Sequence, residues 1–318
     1  PVISRNAVAK NRGVGVVLKA SPARVRENNL SDNQPLDMMG EMTGEAVDAR
    51  DNWWGSVKGL DILRRLQGRI DVATVLNAPY PEGKSLSLPI LSRNLEGLMT
   101  ADGFLTLSNS PYRVVKDVIV DGGATLYVEP GVEILYEQNT ALIMADGGIM
   151  AKGTPERPIS FTAAGTTPTP GFYASAVRFT KPTQVNSALA FCKVKFASTA
   201  FDVYFGAPEI SSCLIAQTSQ GGVFCRNDSA PKILYNTFTA NGGEGAIKCV
   251  GMSNPSIHNN NFVENAVAIQ TFSSIYIDAR QNWWGASPPD SNLIWGDLER
   301  NINIKPWLEK PEEMAFRE

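Results

Sequence analysis

PKILYNTFTAN (231–241) and PSIHNNNFVEN (255–265) are two copies of one pattern, and three further stretches share it: ALAFCKVKFAS (188–198), PEISSCLIAQT (208–218) and PVISRNAVAKN (1–11). A sixth, PARVRENNLSDN (22–33), fits with one inserted residue. The starts of the later copies step by 20, 23 and 24 residues (188 to 208, 208 to 231, 231 to 255). Repeats of this length are typical of a solenoid built from stacked coils of short strands.

Two apolar columns run through the aligned copies and predict the core. The first holds Leu189, Ile210, Ile233, Ile257 and Ile3, and the second holds Val194, Ile215, Phe238, Phe262 and Val8. Because side chains alternate between the faces of a strand, we expect both columns to point inward and to stack coil upon coil.

A polar column lies between the apolar columns, and three of its five members are asparagine. It holds Cys192, Cys213, Asn236, Asn260 and Asn6, and a second polar column five residues later holds Ala197, Thr218, Asn241, Asn265 and Asn11. Neighbouring parallel strands lie ~4.8 Å apart, so stacked amides can hydrogen-bond along the column and satisfy buried turn backbone. Asparagine also tolerates the left-handed conformation that a sharp corner needs, and we expect it to adopt that conformation here.

The four cysteines fall into two pairs, each one coil apart: Cys192 with Cys213, and Cys225 with Cys249. This spacing is architectural and unlike CxxC. Three states stay open for them: reduced, buried fillers, the state we favour; at least one disulfide; or a metal site.

The composition favours an all-β protein and disfavours some partners. The chain has 318 residues, with 27 Gly and 20 Pro, which suits many short strands and tight turns. Its net charge of -3 gives no reason to expect nucleic acid as a partner. No stretch approaches the roughly 18–20 apolar residues of a membrane span, so none is predicted.

The sequence DARDNWWGS (48–56) recurs as DARQNWWGAS (278–287) and predicts the end of two modules. We interpret Trp53, Trp54, Trp283 and Trp284 as plugs that cap the open core, a role we prefer to sugar stacking. After each copy, apolar residues at helical spacing predict a short helix. They are Leu60, Leu63, Leu66 and Ile70 in the first module and Leu293, Ile294, Leu298 and Ile302 in the second.

The start of the second module carries a resemblance to a known family. The run GATLYVEPGVEI (123–134), the turn GGIMAKGT (147–154) and the strand PISFT (158–162) are similar to the opening coils of right-handed parallel β-helix proteins in the pectin-lyase-like superfamily. The resemblance covers about residues 97–310 and, weakly, the first 76. It implies the fold, an all-β, right-handed parallel β-helix, and no particular activity.

The expected organisation is therefore a partial module followed by a complete one. Residues 1–76 form the C-terminal coils and cap of a first β-helix module, 77–97 a Pro-containing linker, 98–310 a complete second module and 311–318 a tail. The first residues resemble the middle of a repeat. We expect the coil edge at residues 1–33 to stack on an upstream part of the polypeptide or on another subunit, giving in the latter case a head-to-tail filament.

Catalytic groups are sparse in the aligned strands. Their outward positions hold one carboxylate, Glu209, whereas glycosidic chemistry typically uses two facing carboxyl groups. Asp202, Asp228 and Glu244 lie near turns and are candidates for a glycan or Ca²⁺ contact, although solvated surface carboxylates are the simpler interpretation. Asp48 with Arg50, and Asp278 with Arg280, are expected to pair within the caps. The single histidine, His258, excludes a multi-histidine metal centre.

The favoured function is a non-catalytic structural protein, extracellular or on the cell surface, with the periplasm as an alternative location. No cofactor is expected beyond a possible Ca²⁺. The alternative is a polysaccharide-binding or polysaccharide-degrading enzyme, a lyase or a hydrolase. An enzyme is expected to show a groove with two close acidic residues or a Ca²⁺ cluster, and a scaffold is expected to show stacking between coils of different subunits.

Overall fold

A computed structural model describes residues 1–19, 23–42, 44–296 and 301–316. The chain divides into two compact units. Unit 1 comprises 1–91 and 104–110, and unit 2 comprises 92–103 and 111–318. The described residues are almost all strands and turns, as predicted for an all-β chain, and Leu298 and Pro22 lie outside the described ranges.

Unit 1 contains short parallel strands and one short helix. Its elements are β1 (Val2–Ser4), β2 (Ala7–Ala9), β3 (Val16–Val17), β4 (Arg24–Arg26), β5 (Asn29–Ser31), β6 (Met38–Met39), β7 (Val47–Asp48), α1 (Gly59–Leu63), β8 (Leu66–Gln67), β9 (Ile70–Asp71), β10 (Thr74–Leu76), β11 (Ser85–Ser87) and a 3₁₀ turn (Leu107–Asn109). The strand orders are β1-β4-β7-β9, β2-β5 and β3-β6-β8. All of these neighbours are parallel, so each strand pairs with its equivalent in the next coil.

Unit 2 continues the same design over more coils, and β13 (Gly103–Leu105) spans the boundary between the units. Its strands are β12 (Asn94–Met99), β14 (Tyr112–Val120), β15 (Thr125–Val128), β16 (Glu133–Tyr136), β17 (Ala141–Met144), β18 (Gly148–Lys152), β19 (Ile159–Ala163), β20 (Tyr173–Phe179), β21 (Ala188–Ala190), β22 (Cys192–Lys195), β23 (Ala197–Val203), β24 (Glu209–Ser211), β25 (Leu214–Ala216), β26 (Gly221–Cys225), β27 (Lys232–Leu234), β28 (Thr237–Thr239), β29 (Ile247–Gly251), β30 (Ser256–His258), β31 (Asn261–Val263), β32 (Ile269–Ser273), β33 (Ile277–Asp278), β34 (Ile294–Trp295) and β35 (Ile302–Asn303), with a 3₁₀ turn at Ser291–Leu293.

Two sets of parallel strands in unit 2 carry the predicted columns. One runs β15-β18-β21-β24-β27-β30-β33-β35, and the other includes β19-β22-β25-β28-β31 and β17-β20-β23-β26-β29-β32-β34. Ile210, Ile233 and Ile257 stand in direct register, and each is fully buried. Phe238 and Phe262 stack with ring centroids 5.2 Å apart. The predicted register of one coil above the next is therefore confirmed.

The corners use the left-handed conformation differently from the prediction. The residue before each ladder asparagine has the positive φ: Arg5 before Asn6 at 63°, and Asn259 before Asn260 at 57°. The expectation that the ladder asparagines themselves adopt it is wrong. Several of the asparagines instead close the corner, because Nδ2 donates to the carbonyl two residues back, as in Asn6 to Ser4, Asn28 to Arg26 and Asn260 to His258, the last at 3.0 Å.

Among the described residues, the helices predicted after NWWG are only partly present. In unit 1, α1 holds Leu60 and Leu63, but Leu66 and Ile70 lie in β8 and β9. In unit 2, Leu293 ends a 3₁₀ turn, and Ile294 and Ile302 lie in β34 and β35. These apolar residues pair with the preceding coil, so burial on a stacked strand outweighs their helical spacing.

The predicted linker and tail have ordered contacts of their own. Residues 77–91 belong to unit 1, where β11 pairs antiparallel with β10, while 92–97 belong to unit 2. In the segment 311–316, Glu312 forms two hydrogen bonds with the side-chain amide of Asn261, at 2.8 and 3.0 Å. Tyr80 forms the equivalent pair with Asn29, at 2.7 and 3.1 Å. We call each of these pairs an Asn clamp.

Candidate functional site

Asparagine ladders link the coils of both units through the same set of bonds. In unit 2, Asn236 donates its backbone N–H and its Nδ2 to Oδ1 of Asn260, at 2.9 and 3.0 Å. Asn260 bonds Asn282 in the same way, at 2.9 and 3.0 Å. All three side chains are fully buried, and each amide also satisfies backbone carbonyls, so the ladders hold the corners together.

The ladders of unit 1 are open at their top, which is the end formed by Asn6 and Asn11. Asn6 donates to Asn28 and Asn11 donates to Asn33, but among the described residues no donor reaches Oδ1 of Asn6 or of Asn11. In the apolar columns below, Val25 and Leu30 are fully buried, whereas Ile3 and Val8 directly above them are half-buried. This first coil therefore presents unpaired acceptors and an incompletely covered core, and we call residues 1–19 the open coil edge.

The corresponding ladder in unit 2 ends differently, on cysteine. Cys213 donates its backbone N–H to Oδ1 of Asn236 at 2.9 Å, and its thiol donates to the carbonyl of Ser211 at 3.2 Å. All four cysteines are free and buried. Burial raises the pKa of the Cys192 and Cys225 thiols well above the usual value, so both are neutral fillers.

In each NWWG sequence the second tryptophan is buried in the core, and the first is half-buried. Trp284 is fully buried and stacks on Phe262 with ring centroids 4.9 Å apart. Trp54 is also buried. The backbones of Trp53 and Trp283 form isolated parallel β-bridges with those of Asn29 and Asn261. Coil backbone continues beyond both sequences, as β8 and β9 in unit 1 and as β34 and β35 in unit 2.

The three candidate carboxylates are not brought together. Asp202 is 4% exposed and pairs with Arg226 and Arg178, at 2.9 and 3.4 Å. Glu244 pairs with Lys248, and Asp228 is exposed. Within the described ranges, no group of three His, Cys, Asp or Glu side chains is arranged to hold a metal ion. Asp202 and Glu244 lie instead beside basic residues.

The pKa values of two carboxylates, one in each unit, are shifted in opposite directions. For Asp202, burial raises the pKa, and the charges of Arg226 and Arg178 oppose it only in part. For Asp48, burial also acts to raise the pKa, but hydrogen bonds from Arg50 and Arg26 outweigh it and hold the pKa far below the usual range. The predicted pairs of Asp48 with Arg50, and of Asp278 with Arg280, are both present.

Sequence reasoning missed a buried ion pair in unit 1. Asp37 is fully buried at the bottom of the second ladder, where Asn33 donates to it at 2.9 and 3.0 Å. Arg65 neutralises this carboxylate at 2.5 and 3.0 Å. The only sequence signal was an acidic residue four positions after a ladder asparagine, and the insertion in that coil obscured the alignment.

The comparisons with known proteins agree with this geometry. A family model described as "Right handed beta helix region" matches residues 182–283, the part of unit 2 that carries the Cys–Asn ladder. The chain is a parallel β-helix repeat protein, and residues 182–283 match the right-handed type. This β-helix protein is also 26% identical, over 151 residues and 42% of its length, to "Protein bark beetle" of Drosophila melanogaster. The match spans 5% of that much longer protein. No solved structure matches. Among the described residues, no helix qualifies as a membrane span.

Proposed function

We propose that this β-helix protein is a non-catalytic structural segment that acts by stacking its open coil edge on another β-helix coil. The observation that carries the proposal is that no donor among the described residues reaches Oδ1 of Asn6 or of Asn11, whereas the asparagines in the coils below are bonded to one another. Each coil of a solenoid buries its apolar surface only against its neighbours, so a half-covered first coil gains stability from a further one.

The polarity of the ladders specifies how the partner coil is oriented. In both units, a ladder asparagine that has another asparagine in the following coil donates to that asparagine, as Asn28 does to Asn52 at 2.9 Å. The open end therefore needs a further coil above it. In that coil a backbone N–H and a side-chain amide would donate to Oδ1 of Asn6, and a second such pair would donate to Oδ1 of Asn11. Two copies meeting top to top would bring acceptor against acceptor, so stacking runs in one direction, head to tail.

The partner coil comes from an upstream part of the same polypeptide or from another subunit, and the latter builds a filament. The ends of the two units described here are occupied: Leu76 donates to the carbonyl of Asn52 at 2.9 Å and Leu308 to that of Asn282 at 3.0 Å. A coil with a free lower edge can therefore stack directly, whereas a filament of this chain would require these segments to leave the lower edge of each copy. An extracellular or surface location is part of the proposal.

The proposal is tested by light scattering and by hydrogen exchange of residues 1–33. Lys10 N–H donates to Ser31 and Asn29 N–H to the carbonyl of Asn6, so Ala7 and Ala9 direct their N–H groups to the open side. Ala7→Pro with Ala9→Pro removes these donors, and Ala7→Ser with Ala9→Ser keeps them as the control. If the chain associates, we expect light scattering to show that the Pro variant loses the association and the Ser variant keeps it. If the chain is a monomer, we expect the amides of the open coil edge to exchange rapidly. A monodisperse monomer whose amides in 1–33 are well protected contradicts the proposal.

A second candidate function, binding of a polysaccharide, is favoured by two exposed aromatic rings of unit 2. Phe272 and Trp295 are 65% and 54% exposed, on β32 and β34, and the flat faces of such rings suit the C–H faces of sugars. A glycan array with a polysaccharide-degradation screen tests it. Binding that Phe272→Ala with Trp295→Ala removes and Met252→Ala leaves intact supports it, and the absence of any hit contradicts it.

A further inference from the structure

A row of charged and aromatic residues crosses the outer face of unit 2. Arg178, Asp202, Phe224, Lys248 and Gln270 stand in direct register on β20, β23, β26, β29 and β32. Parallel strands lie ~4.8 Å apart, so successive members of this row are close neighbours. The row is distinct from the ladders and from the open coil edge.

Asp202 orients two guanidinium groups and leaves their ends available. Arg226 contacts Oδ1 through Nε at 2.9 Å, and Arg178 approaches Oδ2 through Nε at 3.4 Å. Among the described residues, the terminal nitrogens of both arginines have no bonding partner, and both side chains are 31% exposed. One buried carboxylate thus holds Arg226 by a hydrogen bond and lies within ion-pair distance of Arg178, whose Nε has no hydrogen-bond partner among the described residues. Guanidinium groups of this kind bind oxyanions through their free donors.

Aromatic rings and a lysine complete the cluster. The Arg226 guanidinium carbon lies 3.5 Å from the ring centroid of Phe224 and 4.7 Å from that of Tyr204. Lys248 Nζ lies 4.9 Å from the Phe224 ring. Burial and the nearby charge of Arg226 lower the pKa of Lys248, a sign that positive charge is crowded here. The rings hold the cations in place before any ligand arrives, which reduces the entropy cost of binding.

The next rung carries a buried polar atom without a partner. Gln270 is 5% exposed, and its Oε1 has no hydrogen-bond partner in the described parts of the chain. A half-turn of the amide would present Nε2 as a donor in its place. The cluster has three cations, Arg178, Arg226 and Lys248, and two anions, Asp202 and Glu244, giving 3 − 2 = +1.

We propose that Arg178, Arg226 and Lys248 form a binding site for an oxyanion, the carboxylate or sulfate group of a ligand. The two guanidinium forks take the oxygens as paired donors, Lys248 adds a third charge, and Phe224 forms the apolar floor. The site is independent of coil stacking and does not rest on the proposed function.

Calorimetric titration of the whole chain with sodium sulfate and with sodium succinate, at ionic strength held constant with sodium chloride, tests the site. We expect saturable binding of at least one anion. Arg226→Gln weakens it about ten-fold and Arg178→Gln about three-fold, since each removes charge-assisted bonds. Arg280→Gln, at an exposed arginine away from the row, is the matched control and leaves the affinity unchanged. Binding of sulfate alone identifies a tetrahedral group, and binding of succinate alone a carboxylate.

Two further variants separate a lost site from a damaged fold. Arg226→Lys keeps the charge but loses the fork, and we expect intermediate weakening. Asp202→Asn removes the competing negative charge, and we expect tighter binding, the opposite of what structural damage gives. Absence of saturable binding of both anions, or equal affinity in the wild type and Arg226→Gln, overturns the proposal.

Discussion

The first asparagine ladder of unit 1 and that of unit 2 have the same bonds, but they differ at the end nearest the N-terminus. In unit 2 the ladder starts on Cys213, whose thiol serves the local carbonyls and whose backbone N–H meets Asn236 inside the core. In unit 1 it starts on Asn6, which is exposed and has an unbonded Oδ1 within the described residues. The difference teaches that a ladder can be terminated by exchanging the amide for a small apolar side chain. Unit 1 has no such exchange at Asn6.

The largest effect is expected where the apolar column of each unit reaches its tryptophan. Trp284→Ala should cost about 3–5 kcal/mol of unfolding free energy, because it removes a fully buried ring stacked on Phe262. Trp54→Ala should cost a similar amount in unit 1. Urea unfolding with hydrogen exchange assigns each loss to a unit, and equal losses in both units from either variant would show that they unfold as one.

The next largest effect separates buried from exposed ladder positions. Asn260→Ala should cost about 3 kcal/mol, since it leaves the donors of Asn236 and several corner carbonyls unsatisfied in the core. Asn6→Ala, at the open end, should cost about 0.5 kcal/mol. Urea midpoints measure both values. Equal costs would contradict the view that the first coil is only half supported.

Extending the buried ladder should change stability little. In Cys213→Asn, the new amide reaches the carbonyls that the thiol now uses and adds a bond to Asn236, so we expect a change within about 1 kcal/mol. Cys213→Leu, which has a larger side chain and no donor, is the control and should be clearly destabilising. A large loss on Cys213→Asn would mean that the ladder ends at Cys213 for reasons of space.

The smallest effect is a difference in acid response between the units. Asp48 has a lowered pKa, so its contribution is present above the unfolded pKa of about 3.9 and is lost as pH falls further toward the folded pKa. Asp202 has a raised pKa and binds its proton more readily when folded, so unit 2 gains stability as pH falls from the folded pKa toward about 3.9. Urea midpoints against pH for Asp48→Asn and Asp202→Asn should each lose the corresponding slope. Unchanged slopes would contradict these assignments.

The parts of the structure that depend only on the number of residues in one coil were predicted from the sequence. The register of Ile233 with Ile257 and the bond between Asn236 and Asn260 both follow from equal spacing, and both are present. The helical spacing after NWWG misled because a stacked coil buries the same residues on strands. The positive φ was assigned to the asparagine although it belongs to the preceding residue, since one-dimensional spacing does not distinguish neighbours at a corner.

The Arg178–Asp202–Arg226 cluster could be predicted only in part. Asp202 was identified as a candidate, but the arginines that hold it lie in the coils before and after it. Their alignment depends on β20, β23 and β26, strands outside the repeated stretches from which the columns were read. Side chains on one face of a solenoid meet across coils, so they become visible only when every strand has been placed.

The Asn clamps have a mechanical consequence. Each fastens a segment to the side wall of its coils through two hydrogen bonds, joining positions 51 residues apart. A pull on residues beyond Glu312 would load the two bonds to Asn261 together before the force reaches β35, whereas beyond Tyr80 the pairing of β11 with β10 shares the load. The Glu312 clamp thus spares the last coil of unit 2 from being peeled away when the protein is under tension.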